Sequence, residues 1–116
     1  LKINDDYSNQ MHQSEIKVKV ERADTFMKRN NISSVDLLWV DVQGAEIDLF
    51  SGFGDLIKDV KAIHTEVGIN SFYTGGTNYK DLVSYMDEKG FSEIKVIENS
   101  VGLEVDIIFL NKKYLK

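Results

Sequence analysis

Apolar residues recur along this chain in two rhythms, and the alternation between them predicts its elements. Ile16-Lys17-Val18-Lys19-Val20 alternates apolar and charged positions, the pattern of a half-exposed strand. Asp24–Asn31 reads as a short helix with Phe26 and Met27 turned inward and Asn30-Asn31 as its stop. Val35–Val42 is almost continuously apolar, which suits a central parallel strand buried on both faces, with Trp39 in the core. From Ala45 to Val60 the apolar residues fall at near-helical spacing. Gly52 and Gly54 weaken that helix and predict a break into two pieces. Lys61–Val67 is a second short strand, and Gly68–Thr77 a loop rich in Gly, Asn and Thr. Tyr79–Lys89 is amphipathic, with Leu82, Val83 and Met86 on one face and Gly90 as its C-cap. Phe91–Glu98 and Glu104–Asn111 complete the set as two strands joined through Asn99–Gly102.

Strand and helix therefore alternate until the final pair of strands. Alternation implies an α/β fold with a mostly parallel sheet and helices on its faces. The last two strands, with no helix between them, are expected to pair antiparallel. Residues 1–15 are polar and aperiodic, a loop or poorly ordered segment, and residues 16–116 form the domain.

Composition narrows the possible functions. The chain has 116 residues, 42% of them apolar, enough for one core. A net charge of −5, with lysines scattered among acids, argues against nucleic acid as a partner. No apolar run approaches the roughly 20 residues needed to span a bilayer, so no membrane partner is expected. Cysteine is absent, which removes disulfides, zinc–thiolate sites and a cysteine nucleophile and fits a cytoplasmic setting. The chain starts with Leu rather than Met and carries no secretory signal in its first ten residues, so a fragment of a longer protein is one expectation.

Ligands of open α/β sheets sit beyond the carboxyl ends of the parallel strands. Asp41 and Glu66 close two such strands, and neighbouring strands would turn both carboxylates into one crevice. Gln43 and Glu46 follow Asp41 on the turn and first helical turn. Each has a structural reading too: Asp41 as a helix cap, Glu46 as an acid favoured by the helix dipole, Glu66 as a solvated strand end. Gly44 lets strand pass to helix. Gly75-Gly76, flanked by Tyr73 and Tyr79, suits a loop that closes over the crevice. His64 reads as a structural strand residue, and two histidines give little support to a Ser-His-Asp triad.

The run Val35-Asp36-Leu37-Leu38-Trp39-Val40-Asp41-Val42-Gln43-Gly44-Ala45-Glu46 resembles the signature of the FkbM-type methyltransferase family. There an apolar strand leads into an Asp-x-Glu/Gln-Gly-Ala-Glu turn. Val60–Val67, closing on Thr65-Glu66-Val67, is similar to the family's next strand. Tyr73-Thr74-Gly75-Gly76 and Tyr79–Phe91 look like its following loop and helix. The resemblance covers most of residues 16–92. It implies the C-terminal half of a Rossmann-like class I fold, with a seven-stranded sheet and an antiparallel last strand. It further implies S-adenosylmethionine-dependent O-methylation of a hydroxyl on a sugar or secondary metabolite. Asp41 would then act as polar anchor or base, and Gln43, Glu46, Glu66 and Tyr73 would line the acceptor side. By analogy with catechol-type relatives, Asp41 and Glu66 would offer oxygen ligands to a divalent cation. The family's glycine-rich cofactor turn has no counterpart in this chain. The missing half leaves a sheet edge unpaired, so the partners implied are a hydroxyl-bearing small molecule and either that N-terminal half or a second copy. The alternative is a non-catalytic module acting in dimerisation or partner binding.

Overall fold

The apolar runs become four strands and three α-helices in the computed structural model, which describes residues 14–99 and 101–115. The strands are β1 (Leu37–Val40), β2 (Ala62–Gly68), β3 (Phe91–Glu98) and β4 (Glu104–Asn111). The helices are α1 (Ala23–Arg29), α2 (Glu46–Ser51) and α3 (Tyr79–Glu88). Nearly all of the polar segment 1–15 lies outside the described residues.

Strand order in the sheet is β1-β2-β4-β3. β1 and β2 are parallel, and β4 runs antiparallel to both of its neighbours, β2 and β3. Three strands thus share one direction and the last opposes them. The expected antiparallel pairing of the final two strands is present, with a register shift between Glu93 and Lys95. What the chain order did not show is that β4 enters between β2 and β3.

Gly52 and Gly54 break the second helix as expected. α2 stops at Ser51, Gly54 adopts φ +55°, and a 3-10 turn carries Gly54–Asp59 to β2. α3 is fixed at both ends. The Asn78 side chain accepts the Asp81 N–H at 2.9 Å, and Gly90 follows the helix in a left-handed conformation, φ +94°. Only a residue without a Cβ adopts that angle at no steric cost.

All three helices pack on one face of the sheet. Val40, Ile63, Val67, Val105, Ile107 and Phe109 meet Met27, Phe50, Ile57, Leu82 and Met86 there in one core. Asn111, also on this face, satisfies buried carbonyls: its Nδ2 donates to Lys58 O and Val60 O, both at 2.8 Å. The opposite face carries Leu37 and Trp39 of β1, Ala62 and His64 of β2, and Ile108 and Leu110 of β4, and none of these is fully buried.

Three expectations are corrected. Ile16–Val20 is not a strand: the alternation is present, but no neighbouring strand among the described residues supplies a hydrogen-bond ladder, and Ile16, Val18 and Val20 are exposed. Phe26 is also exposed, so Met27 alone of that pair turns inward. The run Val35–Val42 gives only a four-residue edge strand rather than a central one, and Trp39 is 75% exposed rather than core. A continuous apolar run records that both faces are suited to burial. Whether both are covered depends on what packs against them.

Candidate functional site

The turn from β1 into α2 takes an uncommon path. Gln43 and Gly44 both have positive φ, +50° and +102°. For glycine this is free; for glutamine it is a strained conformation that surrounding contacts must hold. Those contacts are present. The Gln43 side-chain amide donates to Asp41 Oδ1 at 2.9 Å. The Gly44 N–H donates to Glu46 Oε1 at 2.9 Å, and the Gly44 carbonyl accepts the Thr77 N–H at 2.8 Å. This last bond ties the Gly68–Thr77 loop to the turn. The loop is braced internally as well, with Ser71 Oγ donating toward the carbonyls of Tyr73 (2.7 Å) and Gly76 (2.9 Å).

These elements enclose a small recess of about 10 Å³ at the carboxyl end of β2. Gln43, Glu46, Glu66 and Tyr73, the four residues placed on the acceptor side from sequence, all line it, together with Thr77 and Glu104. Asp41 is not in its wall. It is exposed and bound to Gln43, and its charge reaches both Glu46 and Glu66. Nor does Asp41 cap α2, whose N-cap is Ala45 with no side-chain bond.

Two of the carboxyls are perturbed. Glu46 is 1% exposed, and burial pushes its carboxyl above the ordinary range, while hydrogen bonds from the Gly44 and Glu46 N–H groups and from Thr77 oppose the shift. Its Oε2 has no hydrogen-bond partner. Glu66 is raised from 4.5 to about 7, first by a hydrogen bond with Glu104, then by burial, then by the charges of Glu104, Asp41 and Asp106. Glu66 pairs with Asp106 and Gly68 with Glu104 in the β2–β4 register, so Glu66 and Glu104 are diagonal neighbours. A bond between two carboxyls needs a proton on one of them, hence the direction of the shift.

Glu104 and Thr77 were not singled out from sequence. Nothing local marks Glu104, because its approach to Glu66 comes from β4 pairing with a strand some forty residues earlier. Thr77 is a buried loop residue whose Oγ1 also accepts the Ile47 N–H at 3.3 Å. His64 stands two residues before Glu66 on the same, uncovered face of β2. Its ring contacts Trp39 (centroids 4.2 Å apart), Nε2 lies 3.3 Å from Asp106 Oδ2, and Nδ1 is buried without a partner.

The recess takes a water-sized group and nothing larger. It is therefore too small to cradle S-adenosylmethionine. Among the described residues no three His, Cys, Asp or Glu side chains are grouped to hold a metal ion, so Asp41 and Glu66 gain no third ligand. Nor is any helix among them long and apolar enough to cross a membrane.

Known proteins match this chain in the same region. Residues 3–93 match the Methyltransferase FkbM domain. The chain is 29% identical over 98 residues to the 2-O-methyltransferase NoeI of Sinorhizobium fredii (strain NBRC 101917 / NGR234). That alignment takes in 84% of this chain but 39% of the relative, so the chain corresponds to well under half of that protein. No solved structure matches. With about four-fifths of its length inside one family's domain, including the β1–α2 turn and the β2 strand end, the chain belongs to the FkbM methyltransferase domain family.

Proposed function

We propose that this chain is the acceptor-side half of an S-adenosylmethionine-dependent O-methyltransferase acting on a hydroxyl of a sugar or secondary metabolite. The observation that carries this is the recess at the carboxyl end of β2, where Gln43, Glu46, Glu66 and Tyr73 converge under the β1–α2 turn. The name of the relative, a 2-O-methyltransferase, supports oxygen as the methylated atom. A Rossmann-like class I architecture is part of the proposal. It is supported by helices on one face of a sheet whose last strand runs against its neighbours. A cytoplasmic setting completes it, in keeping with a chain without cysteine.

In this reading Asp41 and Gln43 form the outer anchor for the acceptor. Gln43, held in its left-handed conformation, fixes the Asp41 carboxylate, and Glu46 and Glu66 receive the polar group that enters the recess. The methyl donor's cradle belongs to chain beyond these residues, which would also cover the Trp39 face. S-adenosylmethionine supplies the methyl group when bound. Transfer needs donor and acceptor held in line at near-contact distance, which these residues alone do not arrange.

Calorimetric titration with S-adenosylhomocysteine tests the proposal. The expected outcome is no binding by the 116-residue chain and micromolar binding once an upstream glycine-rich segment is restored. Continued absence of binding in the longer protein would sink it.

The exposed β1 edge, with Trp39 and Leu37 at 75% and 57% exposure, favours one second reading. There the chain is a non-catalytic module that pairs through this edge with a second copy. A concentration-dependent dimer in analytical ultracentrifugation, abolished by Trp39→Lys, would favour it.

A further inference from the structure

The uncovered face of the sheet is ordered in rows. Strand register sets Leu37, Ala62, Leu110 and Ser92 side by side in the first row, and Trp39, His64, Ile108 and Lys95 in the second. Glu66, Asp106 and Ile97 form the third, and Glu104 lies beyond it opposite Gly68. The face is thus apolar at the amino end of β2 and acidic at its carboxyl end. Lys95, on the outer strand β3, is the one Lys or Arg among these described positions.

The dimensions suit a single helix. Three gaps of about 4.8 Å between four strands give a width of about 14 Å, room for one helix of about 10–12 Å diameter. Successive rows are two strand residues, or about 6.6 Å, apart, and residues i and i+4 of a helix are about 6 Å apart along its axis. A helix laid along the strands therefore meets the three rows with residues i, i+4 and i+8. The first two contacts call for apolar side chains, as on the sealed face of the same sheet. The third does not. Covering Glu66, Asp106 and Glu104 strips water from carboxyl groups, a cost that an opposite charge must offset. Within the chain, His64 Nε2 lies 3.3 Å from Asp106 Oδ2, while the hydrogen bond between Glu66 and Glu104 brings no positive charge. A second copy would set one lysine against three carboxyls, so like charge opposes a face-to-face dimer.

We propose that this face docks an amphipathic helix with apolar residues at i and i+4 and a lysine or arginine at i+8, the cation seated over Glu66 and Asp106. The proposal goes beyond the acceptor-side reading and rests on it in one respect, because that reading makes the upstream chain the source of the helix.

The chain has one tryptophan, so its fluorescence reports this face. The test titrates the 116-residue chain with two synthetic helices of roughly 14 residues, long enough to cover about 20 Å. Both carry the same leucine stripe, and position i+8 is lysine in one and glutamate in the other. A saturable blue shift of Trp39 emission is expected, at least about fivefold tighter for the lysine peptide. That preference should vanish in about 1 M salt, where the Debye length is about 3 Å. Asp106→Asn, in a chain whose circular dichroism is unchanged, should shrink the preference, and Leu37→Ser should weaken both peptides alike. The proposal falls if neither peptide gives a saturable shift or if both bind equally at low salt. It falls too if concentrating the chain alone shifts the emission, since a second copy would then cover the face. Failure of this proposal is distinguishable from failure of the methyltransferase reading. Peptide docking without S-adenosylhomocysteine binding in the lengthened protein would keep the surface and remove the methyltransferase assignment. Cofactor binding in a lengthened protein whose Trp39 indole N–H resonance is unmoved would do the reverse.

Discussion

The two faces of the sheet are built from the same strands and have very different surroundings. On one, Val40, Ile63, Val67, Ile107 and Phe109 are sealed beneath three helices. On the other, Leu37 and Trp39 stand largely in solvent beside the partly exposed Ala62, Ile108 and Leu110. Both faces carry apolar residues, the second with His64, Glu66 and Asp106 among them, and only the first is covered. Burial is thus a property of the neighbour as much as of the residue. The uncovered face has the composition of a face meant to be packed, since contiguous exposed apolar patches on soluble proteins usually mark contact surfaces.

The largest expected effect tests that contrast directly. Phe109→Ala, on the sealed face, should lower stability by about 3–5 kcal/mol in urea unfolding. Trp39→Ala should change it by no more than about 0.5 kcal/mol in the same chain. Restoring the upstream segment should raise the cost of Trp39→Ala several-fold. If Trp39→Ala is as costly as Phe109→Ala in the 116 residues alone, the face is covered in solution, and the contrast disappears. Next in size is Asn111→Leu, which strands the Lys58 and Val60 carbonyls and is expected to cost about 1–3 kcal/mol. Hydrogen exchange should show loosening at the junction of the 3-10 turn with β2. Asn78→Ala removes the cap of the helix covering the sealed face and should cost about 1 kcal/mol, read as a lower thermal midpoint.

The smallest effect is on pH dependence, at the open mouth of the recess. Glu66 holds its proton more tightly folded than unfolded, about 7 against 4.5. Its contribution to stability is therefore fully present below about pH 4.5 and is lost as pH rises through about 7. Glu104→Gln removes the charge of Glu104, so the difference in urea midpoint between pH 5 and pH 8 should change relative to wild type. Carbon-detected NMR of the Glu66 carboxyl should place its midpoint near 7 in wild type. A midpoint in the ordinary carboxylate range would overturn the shared proton.

Local signals were read well from the chain because their causes are local. Gly52 and Gly54 break a helix wherever it lies, Asn78 caps α3 through a residue three positions away, and the turn at Gly44 needs a residue free to take positive φ. The strand-end rule pointed to Gln43, Glu46 and Glu66 and the family resemblance to Tyr73, and the structure brings all four to one recess. Asp41 was placed with them but stands outside, because the turn directs it to the Gln43 amide. Ile16–Val20 failed as a strand because alternation states which side chains share a face and not whether a ladder partner exists.

By itself, the sequence determined most of the element types, a turn at Gly44 between β1 and α2, and membership of a methyltransferase family, since these depend on residue kind and short spacing. Only the tertiary structure decided the rest. It put β4 between β2 and β3, joined Glu104 to Glu66, left Glu46 Oε2 without a partner and Trp39 without a cover. Each of these depends on contacts between residues distant in the chain, whose closure is set by packing of the whole core and not by local pattern.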